Sequence, residues 1–187
     1  MSLHHRPFVF MRHGETSLNR EGRLGGSTDS PLTPLGEEQA RAASIHLEHE
    51  DWPLIVTSRL ARARRTAELA LPGREFVSLG GLNERDWGEC EGIPLSRQPA
   101  YEATPPGGES WDAFQSRVLG TLNQLICEAD LPLIIAHSGV FRVIHTQIYG
   151  TPYGERIANA EPVLIEPTCQ GWKISPFRMH EPVAAMK

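Results

Sequence analysis

Four short segments concentrate the residue types that can handle a charged ester. Arg12-His13-Gly14-Glu15-Thr16 follows an apolar run from Phe8 to Met11, and Ser58-Arg59-Leu60-Ala61-Arg62 follows a second from Leu54 to Val56. Leu82-Asn83-Glu84 comes after Glu75 to Leu79, and His137-Ser138-Gly139 after Leu133 to Ala136. Two arginines, Arg12 and Arg62, present planar forks that match the oxygens of a tetrahedral anion, phosphate above all. A neutral imidazole carries a ring-nitrogen lone pair near pH 7 and is competent to attack phosphorus. With fixed positive charge around the phosphoryl oxygens it needs no metal. A carboxylic acid at the rim can protonate a departing alkoxide and later deprotonate water. A helix starting near Ser138-Gly139 would aim backbone N–H groups and its positive dipole end at the same point. The set describes phosphoryl transfer through a phosphohistidine.

These segments can meet only if the intervening elements bring them to one edge. The apolar run at Phe8–Met11 reads as a buried strand, and Leu54–Val56, Glu75–Leu79 and Leu133–Ala136 read as further strands. Thr33-Pro34 reads as N-cap and first helical residue, with Ala40, Ala43, Ile45 and Leu47 as the apolar positions. Ser58 reads as the cap of a helix whose inner face is Leu60, Ala63, Ala67 and Ala70. Ser110 caps a long helix with the stripe Trp111, Phe114, Val118, Leu122 and Leu125, flanked by Leu119 and Ile126. Gly139 to Tyr149 is a further helix; Pro162–Glu166 and Trp172–Phe177 close the chain as strands. The order βαβαβαβα-ββ predicts an α/β fold, a three-layer α/β/α sandwich with a mainly parallel central sheet. In such sheets ligands sit beyond the carboxyl ends of the strands, where all four polar segments fall. Gly80 to Gly108, rich in Gly and Pro, predicts a flap beside the site.

Length and composition bound the rest. The chain has 187 residues, 18 of them Lys or Arg and 23 Asp or Glu, for a net charge of −5. That length suits one domain over residues 1–187, with residues 1–6 expected to be disordered or tag-derived. A mildly acidic chain lacks the cationic footprint of a nucleic-acid binder. The longest apolar run, Leu131 to Ala136, is too short to span a membrane. Cys90, Cys127 and Cys169 are far apart, which argues against a disulfide framework or structural zinc and for reduced, buried thiols in a cytoplasmic protein. Neither a cofactor nor a metal is expected; His4-His5 has no third ligand nearby.

The same residues carry a resemblance. Arg12-His13-Gly14-Glu15-Thr16 resembles the RHGE(T/S) signature of the histidine phosphatase (phosphoglycerate mutase-like) superfamily. The likeness continues at Asn19, at Asp29-Ser30-Pro31-Leu32-Thr33 with Gly36, and at Ser58-x-Leu60-x-Arg62-Ala63-x-x-Thr66-Ala67. It goes on through Leu82-Asn83-Glu84 with Gly88 and Glu91-Gly92, Gly107-Gly108-Glu109-Ser110, and His137-x-Gly139-Val140-x-Arg142. Five ordered motifs at compatible spacing are specific where RHG alone is not. The resemblance implies a phosphoglycerate mutase-like fold and a metal-independent phosphomonoesterase. It implies His13 as the phosphorylated nucleophile and Arg12, Arg62 and His137 as holders of the phosphoryl group, His137 being cationic in the loaded state. Glu84 becomes the acid/base and Asn19 a secondary phosphate or substrate contact.

Two departures stand out. Gly25 lies where family phosphatases often place Gln or Thr on phosphate, and His137-Ser138-Gly139 replaces the commoner His-Gly-Gly. Ser138 either donates an extra hydrogen bond or caps the helix. The stretch from Glu84 to His137 lacks the longer insertions of family mutases, which favours hydrolysis of a small phosphate ester. The rivals are a phosphoglycerate mutase and a non-catalytic phospho-ligand-binding module on the same fold. Glu15 and Glu109 read as structural, Arg59, Arg64 and Arg65 as solvated. His4, His5, His46, His49, His145 and His180 read as surface or packing residues. Trp87, Trp111 and Tyr101 either line the substrate mouth or pack the flap. Substrate and oligomeric state, monomer or homodimer, are left open by the sequence.

Overall fold

The structure, a computed structural model, describes residues 1–178. His180, read above as surface or packing, lies outside the described residues. The elements are β1 (Phe8–Arg12), α1 (Ser17–Arg20), α2 (Pro34–Leu47), β2 (Ile55–Ser58), α3 (Ala61–Ala70) and β3 (Val77–Leu79). Three single turns of 3₁₀ helix follow, then α4 (Trp111–Glu128), β4 (Leu133–Ala136), α5 (Ser138–Tyr149), β5 (Val163–Thr168) and β6 (Gly171–Pro176).

The six strands form one sheet in the order β3-β2-β4-β1-β5-β6. β1 to β4 run parallel to their neighbours within that group, and β5 is antiparallel to both β1 and β6. Alternation along β1 splits the core. Phe8 and Phe10 pack with Phe114, Val118 and Leu122 of α4 and Val140 and Ile144 of α5. Val9 and Met11 pack with Ala43 and Leu47 of α2 and Ala67 and Ala70 of α3. Helices thus cover both faces, as the βα alternation predicts. Burying a side chain such as Phe114 contributes about 2–3 kcal/mol.

The register places the chemistry. Arg12 pairs with Ala136, so positions 13 and 137 are neighbours at the carboxyl edge, and Thr57 pairs with Ile135, which brings Ser58 beside them.

Local signals are largely realised. Thr33 accepts from the Gly36 N–H at 3.0 Å with Pro34 in the first turn, and Ser110 accepts from Ala113 N at 3.2 Å. Three readings need correction. Ile45 is 57% exposed, because a helical turn carries position 45 away from the 40/43/47 stripe. Ser58 does not cap α3. Asp29, distant in sequence, takes the Ala61 and Arg62 N–H groups instead. Cys127 and Cys169 are exposed and Cys90 half-buried, so the thiols are not core residues. At the start of the chain Leu3 is buried in the core, and Asn123 of α4 accepts from His4 N at 2.9 Å and donates to Ser2 O at 2.8 Å.

The Gly80–Gly108 flap is organised around a fully buried arginine. Arg85 donates Nε to Glu109 O (3.0 Å), Nη1 to Tyr101 O (2.8 Å) and Nη2 to Ala103 O (2.9 Å), with its guanidinium 4.3 Å from the Trp87 ring centre. Arg117 of α4 grips Glu109 with Nε and Nη2 (2.9 and 2.7 Å) and gives Nη1 to the carbonyls of Gly81 and Asn83. Glu109 is therefore an anchor, and the backbone leading into Glu84 is fixed from both sides.

Candidate active site

One cavity of about 70 Å³ opens at the carboxyl edge of the sheet. That is well below the few hundred Å³ of a drug-sized pocket. Its walls include Arg12, His13, Asn19, Gly25, Arg62, Glu84 and Ser138, every predicted site residue except His137. His137 is wholly buried behind that wall, its ring centre 5.2 Å from that of His13.

The His13 ring is orientated by its own strand end. Nδ1 lies 2.7 Å from the Gly14 carbonyl oxygen. A carbonyl only accepts, so Nδ1 carries the hydrogen and the lone pair of a neutral ring sits on Nε2. The ring is neutral, because burial, then the charges of Arg62 and Arg12, hold its pKa well below the ordinary 6.5 against the opposing Gly14 bond. Gly14 itself is dictated by packing, since a Cβ there would overlap the Gly36 carbonyl at the start of α2. Its N–H donates to Thr66 Oγ1 at 3.0 Å, which ties the loop to α3.

His137 caps β4 and precedes α5. Its Nε2 is 2.6 Å from Ser58 Oγ, which also accepts the Leu60 N–H at 3.2 Å. A neutral His137 ring that accepts the Ser58 hydroxyl hydrogen at Nε2 carries its own hydrogen on Nδ1. Nδ1 of His137 and Nε of Arg12 are buried with no partner among the described residues. Buried polar atoms in folded proteins are as a rule satisfied, so two unpartnered nitrogens beside His13 point to a polar ligand. His137, too, is held neutral here, by burial first and then by Arg62, His13 and Arg12.

Arg12 donates Nη1 to Ile157 O at 3.1 Å. Burial is the main reason its pKa falls to about 10; Glu84 opposes the shift, and Arg156 leads the neighbouring cations that add to it. It stays protonated at neutral pH. Arg62, 4% exposed, gives Nη1 to Thr28 O (3.1 Å) and Asp29 Oδ1 (3.2 Å) and Nη2 to Gly26 O (2.6 Å). A guanidinium has five N–H donors, so Nε–H and one Nη2–H remain. The loop that supplies those carbonyls is gripped by Glu91, which accepts from the backbone N–H and hydroxyl of both Ser27 and Thr28.

Glu84 sits at the N-terminus of α5. Oε2 accepts from Gly139 N and Oε1 from Arg85 N, both at 2.9 Å. The Gly139 N–H therefore serves the carboxylate rather than an incoming anion. Ser138 is the first residue of α5 and no cap, His137 holding the cap position, so only its place in the cavity wall survives from the two readings. Gly25 leaves open space: a Cβ would meet only Leu18 Cδ1 at 3.8 Å. Asn19 accepts from Thr16 N (3.2 Å) and Asn159 Nδ2 (3.4 Å) through Oδ1, which leaves its own NH₂ for the cavity. Glu15 accepts from Thr33 Oγ1 at 2.7 Å, a structural role. Trp87 and Tyr101 both line the cavity and pack on each other, whereas Trp111 belongs to the core.

Cationic groups thus converge around a neutral nucleophilic imidazole with a carboxylate at the rim. Residues 8–178 match the family described as the histidine phosphatase superfamily, branch 1. The chain belongs to that superfamily. It is 34% identical over 183 residues to an uncharacterized phosphatase, PhoE, of Bacillus subtilis, a match covering 91% of this chain and 93% of that protein. It is also 34% identical over 169 residues to a probable phosphoglycerate mutase, GpmB, of Cronobacter sakazakii, covering 78% and 76%. The alpha-ribazole phosphatase from Shigella flexneri superposes with a TM-score of 0.77 at 26% identity, covering 92% and 96% of the two chains. The superfamily's relatives are phosphatases and mutases, so a histidine phosphatase-type enzyme is the common denominator.

Sequence reasoning missed Arg23 and Arg156 in the cavity wall, Ser58 as the partner of His137, and Asp29 and Glu91 as supports of Arg62. Asp29 and Glu91 stood inside the recognised motifs, which was the one available signal. Arg156, in an irregular segment, had none. Among the described residues no group of three His, Cys, Asp or Glu is placed to hold a metal, and no helix is long and apolar enough to cross a membrane.

Proposed function

We propose that the protein hydrolyses a small phosphate monoester through a phosphohistidine on His13. The observation that carries the reading is the His13 tautomer: Nδ1–H on the Gly14 carbonyl, with Nε2 free beside two guanidinium groups. The ester's phosphoryl oxygens are held by Arg12, Arg62 and His137. The Nε2 lone pair attacks phosphorus, the bond to the ester oxygen breaks, and that oxygen takes the Glu84 proton and leaves as the alcohol. The positive charge that arises on the ring is stabilised by the Nδ1–H bond to Gly14. Glu84, now a carboxylate, removes a proton from water as the water oxygen attacks phosphorus. The N–P bond breaks, its electrons return to Nε2, and inorganic phosphate departs. Positioning and charge stabilisation do most of the work in such transfers. The guanidinium groups supply the positive charge that metal ions supply elsewhere.

The test is phosphate release from a panel of phosphomonoesters in EDTA, with wild type and His13→Ala side by side. The expected result is turnover by wild type and loss of at least about 10³-fold in the variant, the scale on which removal of a nucleophile is felt, while inorganic phosphate still competes for the site. Retained turnover in His13→Ala refutes the assignment. The mutase relative makes isomerisation the second reading. Products from 3-phosphoglycerate separate the two: free phosphate supports hydrolysis, 2-phosphoglycerate supports transfer.

A further inference from the structure

The cavity holds one cation beyond those the phosphoryl group needs. Arg156 lines the same walls as Arg12, His13, Arg62 and Glu84, yet its side chain is exposed and makes no hydrogen bond or ion pair among the described residues. The other added arginine, Arg23, is committed elsewhere, with Nη1 on Gly92 O at 2.6 Å and Glu21 at 3.6 Å. The segment that carries Arg156 is fastened at several points. Arg142 donates Nη1 to Gly154 O at 3.0 Å and Arg12 donates Nη1 to Ile157 O at 3.1 Å, so the carbonyls on both sides of Arg156 are pinned. Ala160 N donates to Arg12 O at 2.8 Å, Asn159 Nδ2 to His13 O at 2.9 Å, and Tyr153 Oη to Glu102 Oε2 at 2.7 Å. An irregular segment stitched in this way presents its one free guanidinium from a fixed backbone.

Charge makes the same point. Among the described residues Glu84 is the only carboxylate in the cavity walls, which hold five arginines, in a protein whose net charge is −5. Arg62 already faces Asp29 at 3.2 Å, and Arg85 is turned into the flap. Arg12 and Arg62 suffice for a dianionic phosphoryl group. Holding a further cation beside them costs like-charge repulsion, which a second anion on the ligand would offset.

We infer that Arg156 is a specificity-determining residue that selects phosphate monoesters carrying a second anionic group, a carboxylate or another phosphate, a few bonds from the phosphorus. Arg156 shares one cavity wall with the phosphoryl-holding groups, so a short carbon chain suits the spacer. The inference rests on the phosphomonoesterase reading given above.

The test compares esters that differ at the far end alone. Glycerol 3-phosphate ends in a hydroxymethyl group, 3-phosphoglycerate in a carboxylate, and glycerol 1,3-bisphosphate in a second phosphate. In wild type, kcat/KM for at least one of the two doubly anionic esters exceeds that for glycerol 3-phosphate by about tenfold or more, the worth of a charge-assisted hydrogen bond. Arg156→Gln collapses that ratio towards one, mainly through KM, and Arg156→Lys restores part of it. The ester that shows the larger ratio identifies the second anion. A wild-type ratio near one, or an equal fall for all three esters in Arg156→Gln, overturns the inference. Calorimetric binding of the same esters to His13→Ala, with and without Arg156→Gln, reads the preference without turnover. Absence of hydrolysis by wild type therefore sinks the enzymatic reading alone, and equal affinities in both backgrounds sink the role of Arg156 alone.

Discussion

Gly139→Ala isolates the role of Glu84 without touching a titratable group. A Cβ at position 139 would overlap Glu84 Oε1 and stand 2.9 Å from its Cδ, where ordinary contact begins near 3.4 Å. The atoms it meets belong to a side-chain end, so the helix stays and the carboxylate retreats, by about 1 Å or more, a displacement that can cost ~10²-fold in rate. Alanine gains up to about 1 kcal/mol over glycine in a helix, while the charged hydrogen bond from Gly139 N is worth about 1.5–3 kcal/mol. The net is a modest destabilisation of about 0.5–2 kcal/mol. Activity behaves differently. General acid catalysis matters most when the leaving alcohol is a poor one, so kcat for an alkyl phosphate falls by ~10²-fold or more while that for an activated aryl phosphate falls much less. The assay is kcat for glycerol 3-phosphate and 4-nitrophenyl phosphate in both proteins, with urea unfolding alongside. Equal losses for the two esters, or none in a folded variant, would show that the Glu84 carboxyl does not serve the leaving group.

Ser58→Ala removes the partner of His137 Nε2 and the acceptor of the Leu60 N–H at once. Both are in the core of the site, so unfolding free energy drops by about 1–3 kcal/mol, read from urea midpoints; a change within 0.5 kcal/mol, roughly the scatter of a surface substitution, speaks against the bond. Acid should destabilise the protein through its two site histidines. Their folded-state pKa values are pushed well below 6.5 by burial first and by Arg62 next, so between those values and 6.5 the unfolded chain binds protons that the folded state refuses. Their contribution to stability is intact above pH 6.5 and is lost progressively below it, and His13→Asn weakens the dependence. A urea midpoint independent of pH between 7 and 5 in wild type contradicts the neutral-imidazole assignment.

What the sequence discloses follows physical range. The strands carrying His13 and His137 announce themselves as short apolar runs, and the rule that ligands gather at strand carboxyl ends assigns both to one edge. The start and the buried stripe of long, regular α4 are legible because its Ser110 cap and apolar periodicity are local signals. Glu84 is different: it lies in irregular backbone among several other carboxylates, so only the family pattern singles it out, and its position depends on Arg85 and Arg117 gripping carbonyls of remote segments. The cap of α3 is misread for a related reason. Ser58 has the right chemistry and spacing, but its hydroxyl is engaged by His137 across the sheet, and Asp29 fills the vacancy from 32 residues upstream. Arg156 illustrates the limit. Nothing local distinguishes it from other exposed arginines, and it reaches the cavity through bonds to β1 that span more than 140 residues of chain.

The guanidinium of Arg12 is at once a wall of the cavity and a strap across the lip that bears Arg156. Charge and doorway are therefore one component. A lysine at that position would keep the positive sign yet could not grip the carbonyl with one arm while offering the other inward, so the entrance would slacken as the anion seat weakened. Chemistry and scaffold are inseparable at residue 12, and ligand occupancy should be felt along the rim as rigidity.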